Sequence, residues 1–215
     1  MRFKAAFIHF IVIVAALTGS TTGAFARTLQ LVGFGDSLMA GYQLAPGDAY
    51  PAKLEAALKA KGIDVAITNA GVSGDTTSAG LARIDWSVPD GTDGVILELG
   101  ANDALRGVPP QETERNLDAI LTRLKQRGIP VILMGMMAPP NMGSEFGETF
   151  NAIYPKLAEK HGVALYAFFL DGVAAQAGLQ LEDGMHPNPG GVDVMVEKSL
   201  TAVQAFLATI SGGTK

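Results

Sequence analysis

Leu29-Gln30-Leu31-Val32-Gly33-Phe34 runs straight into Gly35-Asp36-Ser37-Leu38. The first six residues form a nearly continuous apolar run, which predicts a strand covered on both faces. The four that follow put a serine on a polar turn at its carboxyl end. Four more runs read as strands of the same kind: Val65 to Thr68, Val95 to Leu99, Val131 to Met136 and Ala164 to Phe169. Between them one punctuation recurs, in Lys61-Gly62-Ile63, Arg127-Gly128-Ile129 and His161-Gly162-Val163. Each sets a basic residue in a last helical turn and glycine at the cap, with an apolar strand next. Leu117, Ile120, Leu121 and Leu124 share one helical face and are expected in the core. Pro155 interrupts the third helical pattern and predicts a kink or a late start there. Helix and strand in alternation, with right-handed crossovers, predict an α/β domain in three layers around a parallel five-stranded sheet.

Residues 1–26 carry Arg2 and Lys4, then the apolar stretch Ala5 to Leu17, then Ala24-Phe25-Ala26. A basic start, a short hydrophobic centre and an A-x-A site describe a secretory signal peptide, with cleavage expected after Ala26. The apolar run is short for a membrane span and soon interrupted by Gly19, Ser20, Thr21 and Thr22, which leaves an uncleaved anchor as the minor alternative, and no stable membrane insertion is expected after cleavage. Residues 27–215 are then one exported domain, periplasmic or extracellular. Arg2 and Lys4 are the charged residues of the leader. The 16 Lys+Arg and 21 Asp+Glu of the whole chain therefore become 14 against 21 beyond it, a formal charge of −7 over 189 residues. With no basic run or basic helix face, this balance argues against nucleic acid and favours a neutral small-molecule substrate. The absence of cysteine excludes disulfides, thiol catalysis and thiolate metal sites.

The chain has three histidines. His9 lies in the leader, and His161 closes a helix, where a cation suits the dipole. His186 remains, in Asp183-Gly184-Met185-His186-Pro187. Attack by a serine needs a base within reach, and the base needs an acid to fix its tautomer, so Ser37, His186 and Asp183 supply the minimal chemistry of a serine hydrolase. Sites in such sheets lie beyond the carboxyl ends of the strands. Asn69-Ala70-Gly71-Val72-Ser73-Gly74-Asp75 and Gly100-Ala101-Asn102-Asp103 follow the second and third strands and meet Ser37 at one edge. The backbone N–H groups of Ser37 and Gly74 and the amide of Asn102 are candidate oxyanion donors, although glycine and asparagine are also what turns use. Asp36 is expected to brace the turn. Met39, Leu105, Pro139, Met142, Phe146 and Met185 are candidates for an acyl groove and equally for packing beneath loops.

Gly35-Asp36-Ser37-Leu38, Gly74, Gly100-x-Asn102-Asp103 and Asp183-x-x-His186 resemble, in order, the four sequence blocks of the SGNH (GDSL) hydrolases. The likeness is nearest to small bacterial periplasmic members of the arylesterase, thioesterase I and lysophospholipase type. It implies a flavodoxin-like sheet of order 2-1-3-4-5 and no metal or organic cofactor. It also implies Ser37 as nucleophile, Gly74 and Asn102 in the oxyanion hole, and Asp183 with His186 completing the triad. Ala101 departs from the pattern, since many relatives carry a second glycine there. The implied activity is hydrolysis of aryl and short- to medium-chain acyl esters, extending to acyl thioesters and lysophospholipids.

Other readings fit less of the chain. Gly33-Phe34-Gly35-Asp36-Ser37-Leu38 almost spells a dinucleotide fingerprint, but Leu38 stands where Gly or Ala must allow close packing. A noncatalytic nucleotide- or lipid-binding module leaves Asp183 and His186 without a task. A deacetylase acting on cell-envelope sugars shares the triad and differs in what the loops accept. Oligomeric state is not readable from the sequence.

Overall fold

The computed structural model describes residues 27–211, and the expected leader, 1–26, lies outside them. Five strands, β1 (Leu29–Gly35), β2 (Val65–Gly71), β3 (Gly94–Glu98), β4 (Val131–Met134) and β5 (Ala164–Tyr166), pair in parallel in the order β2-β1-β3-β4-β5. This is the expected α/β fold and the expected strand order. β1 and β3 are neighbours although β2 lies between them in sequence, so the crossovers diverge at their carboxyl ends and open a crevice there.

Helices cover both faces. α2 (Tyr50–Ala60) and α8 (Pro189–Ser211) pack together on one, where the Tyr50 hydroxyl meets Ser199 Oγ at 2.8 Å. α3 (Thr77–Ser87), α5 (Pro110–Gln126) and α7 (Ile153–His161) line the other. On α5 the predicted stripe Leu117, Ile120, Leu121 and Leu124 is buried. Each such side chain removed from water contributes about 1.5 to 3 kcal/mol. The three predicted helix stops hold: Gly62, Gly128 and Gly162 have φ of 78°, 67° and 66°, the left-handed conformation that a glycine cap supplies. No helix among the described residues is long and apolar enough to cross a membrane.

Strand boundaries differ from expectation in ways that matter for the site. β2 continues to Gly71, so Asn69-Ala70-Gly71 is strand rather than loop, paired with Gly33, Phe34 and Gly35. β4 stops at Met134 and β5 at Tyr166, two and three residues early, which leaves Gly135-Met136 and Ala167-Phe168-Phe169 free to form loops. The third helical pattern breaks at Ala152 into α6 (Ser144–Asn151) and α7, and Pro155 sits in the first turn of α7. A late start is thus realised rather than a kink, because a first-turn residue needs no N–H partner within the helix.

Candidate active site

β1 delivers its chain into a four-residue helix, α1 (Ser37–Ala40). Asp36 caps it, accepting from Leu38 N at 3.0 Å, and Gly41 closes it in the left-handed conformation with φ of 79°. The cap confirms the brace expected of Asp36 and holds Ser37 almost buried at the start of the turn. The base is brought to it from the far end of the chain: His186 Nε2 lies 2.9 Å from Ser37 Oγ.

The geometry around His186 is built locally. Asp183 Oδ1 accepts the backbone N–H groups of Met185 and His186, at 2.9 and 3.0 Å, while Oδ2 lies 2.6 Å from His186 Nδ1. Partial burial pushes the Asp183 carboxyl upward, but the two backbone N–H groups and the imidazole outweigh it and hold the carboxyl down at about 2. An ionised Asp183 accepts a hydrogen bond from Nδ1–H, so Nε2 presents a lone pair to the Ser37 hydroxyl. The Tyr42 ring lies on the imidazole with centroids 4.4 Å apart. His161, by contrast, is bonded to Asp118 at 2.6 Å between α7 and α5, the helix-end role expected of it.

The second loop reaches the same edge. Val72 N donates to Gly35 O at 3.0 Å, and Arg106 Nη2 donates to the carbonyl of Gly74 at 2.9 Å. Gly74 has φ of 87°, a conformation that strains any residue with a side chain. Behind the loop, Arg83 is buried over the Phe34 ring and bonds Asp75, Ala70 O and Gly35 O, tying the ends of β1 and β2 to the loop. The third loop opens α4 (Ala101–Leu105), and Asn102 Nδ2 donates to Asp36 Oδ2 at 2.9 Å.

Ser37, Asn102 and His186 open onto a cavity of about 600 Å³ whose remaining lining is largely apolar. Of the residues expected to border an acyl groove, Leu105, Pro139 and Met185 line it. Met39 does not. Two residues beyond Ser37 on α1, it turns inward and is fully buried, its sulfur filling the space above Gly33. Met142 and Phe146 do not line it either. α6 packs against the start of α5, so both side chains face Pro110 across a separate hollow, and Phe146 stacks on Phe150. Their places in the cavity are taken by Met136, Met137, Phe168, Leu170 and Ala174. These residues follow β4 and β5, and the rule that sites lie beyond strand ends points to them once it is carried across the whole sheet.

One further residue escaped the sequence reading. Glu98, the last of β3, is fully buried beside Asp36, and its Oε2 accepts Asp36 N at 3.2 Å. Burial pushes the Asp36 carboxyl up to about 6, against hydrogen bonds from Leu38, Glu98 and Asn102 that pull it down. Burial and then the neighbouring Asp36 charge push Glu98 well above the usual carboxylate range.

Residues 34–194 match the GDSL-like lipase/acylhydrolase family. An arylesterase of Vibrio mimicus is 43% identical over 161 residues, 74% of this chain and 80% of that protein. Thioesterase 1/protease 1/lysophospholipase L1 of Escherichia coli K12 is 40% identical over 166 residues, 77% of each. Among solved structures, the SGNH-hydrolase family esterase AlinE4 is 48% identical with a TM-score of 0.72, covering 86% of this chain and 99% of that one. The four sequence blocks, the strand order and these relatives agree: the chain belongs to the GDSL-like lipase/acylhydrolase family and is a carboxylic ester hydrolase of the SGNH fold.

Proposed function

We propose that the protein hydrolyses aryl and short- to medium-chain acyl esters, acyl thioesters and lysophospholipids among them, through a covalent acyl-enzyme on Ser37. The observation that carries this reading is the continuous chain Asp183, His186, Ser37, with gaps of 2.6 and 2.9 Å, ending in an apolar cavity. His186 Nε2 takes the hydroxyl proton as Ser37 Oγ attacks the carbonyl carbon. Asp183 keeps the hydrogen on Nδ1 and stabilises the imidazolium that forms. The carbonyl oxygen, now negative, is met by the N–H groups of Ser37 and Gly74 and by the Asn102 amide. His186 returns the proton to the leaving alcohol or thiol, then activates a water that releases the acid and restores Ser37.

Relatives named arylesterase and thioesterase/lysophospholipase support this substrate range. So does the lining of the cavity. Each acyl methylene buried there is worth about 0.8 kcal/mol, or roughly fourfold in binding. Rates across p-nitrophenyl esters from acetyl to octanoyl test it, with an acyl thioester and an acetylated sugar alongside. The reading predicts kcat/KM rising with chain length until the cavity is filled. It also predicts that Phe168→Ala costs more for octanoyl than for acetyl esters, while Phe146→Ala affects both alike. Fastest turnover of the acetylated sugar would replace it with a deacetylase. Relatives of this type, together with the leader expected at 1–26, support a periplasmic or extracellular place of action.

A further inference from the structure

Glu98 is a carboxyl group that the hydrolytic chemistry leaves unused, and its setting is unusual. It is fully buried at the end of β3, its Oε1 meets no hydrogen-bond partner, and its Oε2 faces Asp36. Among the described residues no cation pairs with it. Arg83, the guanidinium buried beneath the ends of β1 and β2, spends its hydrogens on Asp75, Ala70 O, Ser87 and Gly35 O. Of the other titratable groups, Tyr154 on α7 feels both carboxyls, and His186, in the loop before α8, acts on Asp36. An ionised Glu98 would leave one carboxylate oxygen bare in the core, which is strongly unfavourable. Asp36 is the reverse case: Oδ1 accepts from Leu38 N and Oδ2 from Asn102 Nδ2, the pattern of a carboxylate.

We infer that Glu98 and Asp36 form a carboxyl pair holding one proton, on Glu98, and that the ionised Asp36 is the positioning residue that aims Asn102. The inference rests on the reading of Asn102 as an oxyanion donor. An amide side chain can be turned over at little steric cost, exchanging oxygen and nitrogen. An acceptor at Asp36 Oδ2 forbids the exchange, because the Asn102 nitrogen must face it. The second N–H of that nitrogen is then left for the cavity that Asn102 lines. In the turned-over amide a lone pair of Oδ1 would stand in its place and repel the developing oxyanion. A protonated Glu98 supports the arrangement by holding Asp36 N through Oε2 without adding a second charge beside the carboxylate. Space for the pair is bought by sequence: a Cβ on Gly35 would lie 2.6 Å from Glu98 Oε2.

Asp36→Asn separates this role from helix capping. Asparagine caps as well as aspartate, with its oxygen still held by Leu38 N. Its nitrogen must then face Asn102, whose amide turns over to offer oxygen. Kinetics of Asp36→Asn, Asn102→Ala and the double variant on one ester give the test. Expected are losses in kcat of about a hundredfold for either single change, KM within about threefold, and a double variant no worse than the singles. Glu98→Gln, which is neutral and keeps an acceptor for Asp36 N, should retain kcat within about threefold, and Glu98→Met should lose roughly tenfold. Independent, multiplying losses from Asp36→Asn and Asn102→Ala overturn the inference and leave the oxyanion reading standing. Unchanged kcat in Asn102→Ala sinks that reading and the inference with it. Glu98→Met as active as Glu98→Gln removes Glu98 from the pair. If Glu98→Met does not fold, by circular dichroism, the cycle between residues 36 and 102 decides.

Discussion

A serine hydroxyl is a poor nucleophile until a base removes its proton, and Ser37 has that base at 2.9 Å. Because nucleophile and base act as one unit, Ser37→Ala and His186→Ala should lose similar amounts of kcat, and combining them should lose no more. Steady-state kinetics of the three variants check this. The acid side of the pH profile carries a second signature. His186 must be neutral to accept the serine proton, and Asp36, pushed up to about 6, must be ionised to hold Asn102. Acidification therefore protonates two groups, and log kcat/KM should fall with a slope steeper than one below about pH 6. A slope of one would leave His186 as the single titrating group.

At the scale of elements, the site depends on how strand ends are fastened. Arg83 projects from α3 beneath the ends of β1 and β2 and pairs with Asp75 in a buried contact. Arg83→Met leaves Asp75 without its partner in a low-dielectric setting, at a cost of about 3 to 5 kcal/mol in stability. Urea unfolding measures this, and an effect below about 1 kcal/mol would mean that Asp75 finds water or another donor. Arg83→Lys should recover little, since one ammonium cannot reach the several acceptors that the guanidinium fork serves. α6 shows a different case, an element seated by packing against α5 and by one bond, from Ala138 N to Asn151 Oδ1. Phe146 is a candidate for the acyl groove and equally for packing beneath loops, and packing is its role. The break at Ala152 and the seat of α6 against α5 turn it away.

For the molecule as a whole, local signals carried most of the reading. The apolar strands, the three glycine-capped helix stops and the approach of Asp183 to His186 each depend on neighbours within a few residues, and each is found, with strand ends shifted by up to three residues. What escaped depends on contacts distant in sequence. Met39 points into the core because of the pitch of α1, and Met136 and Phe168 reach the cavity because β4 and β5 stop early. Glu98 was hidden inside the run Val95 to Leu99, although a carboxylate in a strand covered on both faces was itself the signal. Stability of the whole fold should also follow pH. Asp183 has its folded value near 2, below its ordinary 3.8, so its contribution is present above about pH 4 and lost as pH falls toward 2. Asp36, raised rather than lowered, works in the opposite direction: its contribution is present below about pH 4 and lost as pH rises through about 6. Asp183→Asn should therefore flatten the loss of urea midpoint between pH 4 and 2.

Hydrolysis turns on one covalent bond, from Ser37 Oγ to an acyl carbon, and a fluorophosphonate reports on it by phosphonylating whichever serine the site activates, with fluoride as the leaving group. Mass spectrometry of the labelled protein should place one adduct on Ser37. Labelling should vanish in Ser37→Ala and slow by orders of magnitude in His186→Ala, with both variants still folded. An adduct on another serine, such as Ser73 or Ser144, or undiminished labelling of Ser37→Ala, would contradict the account.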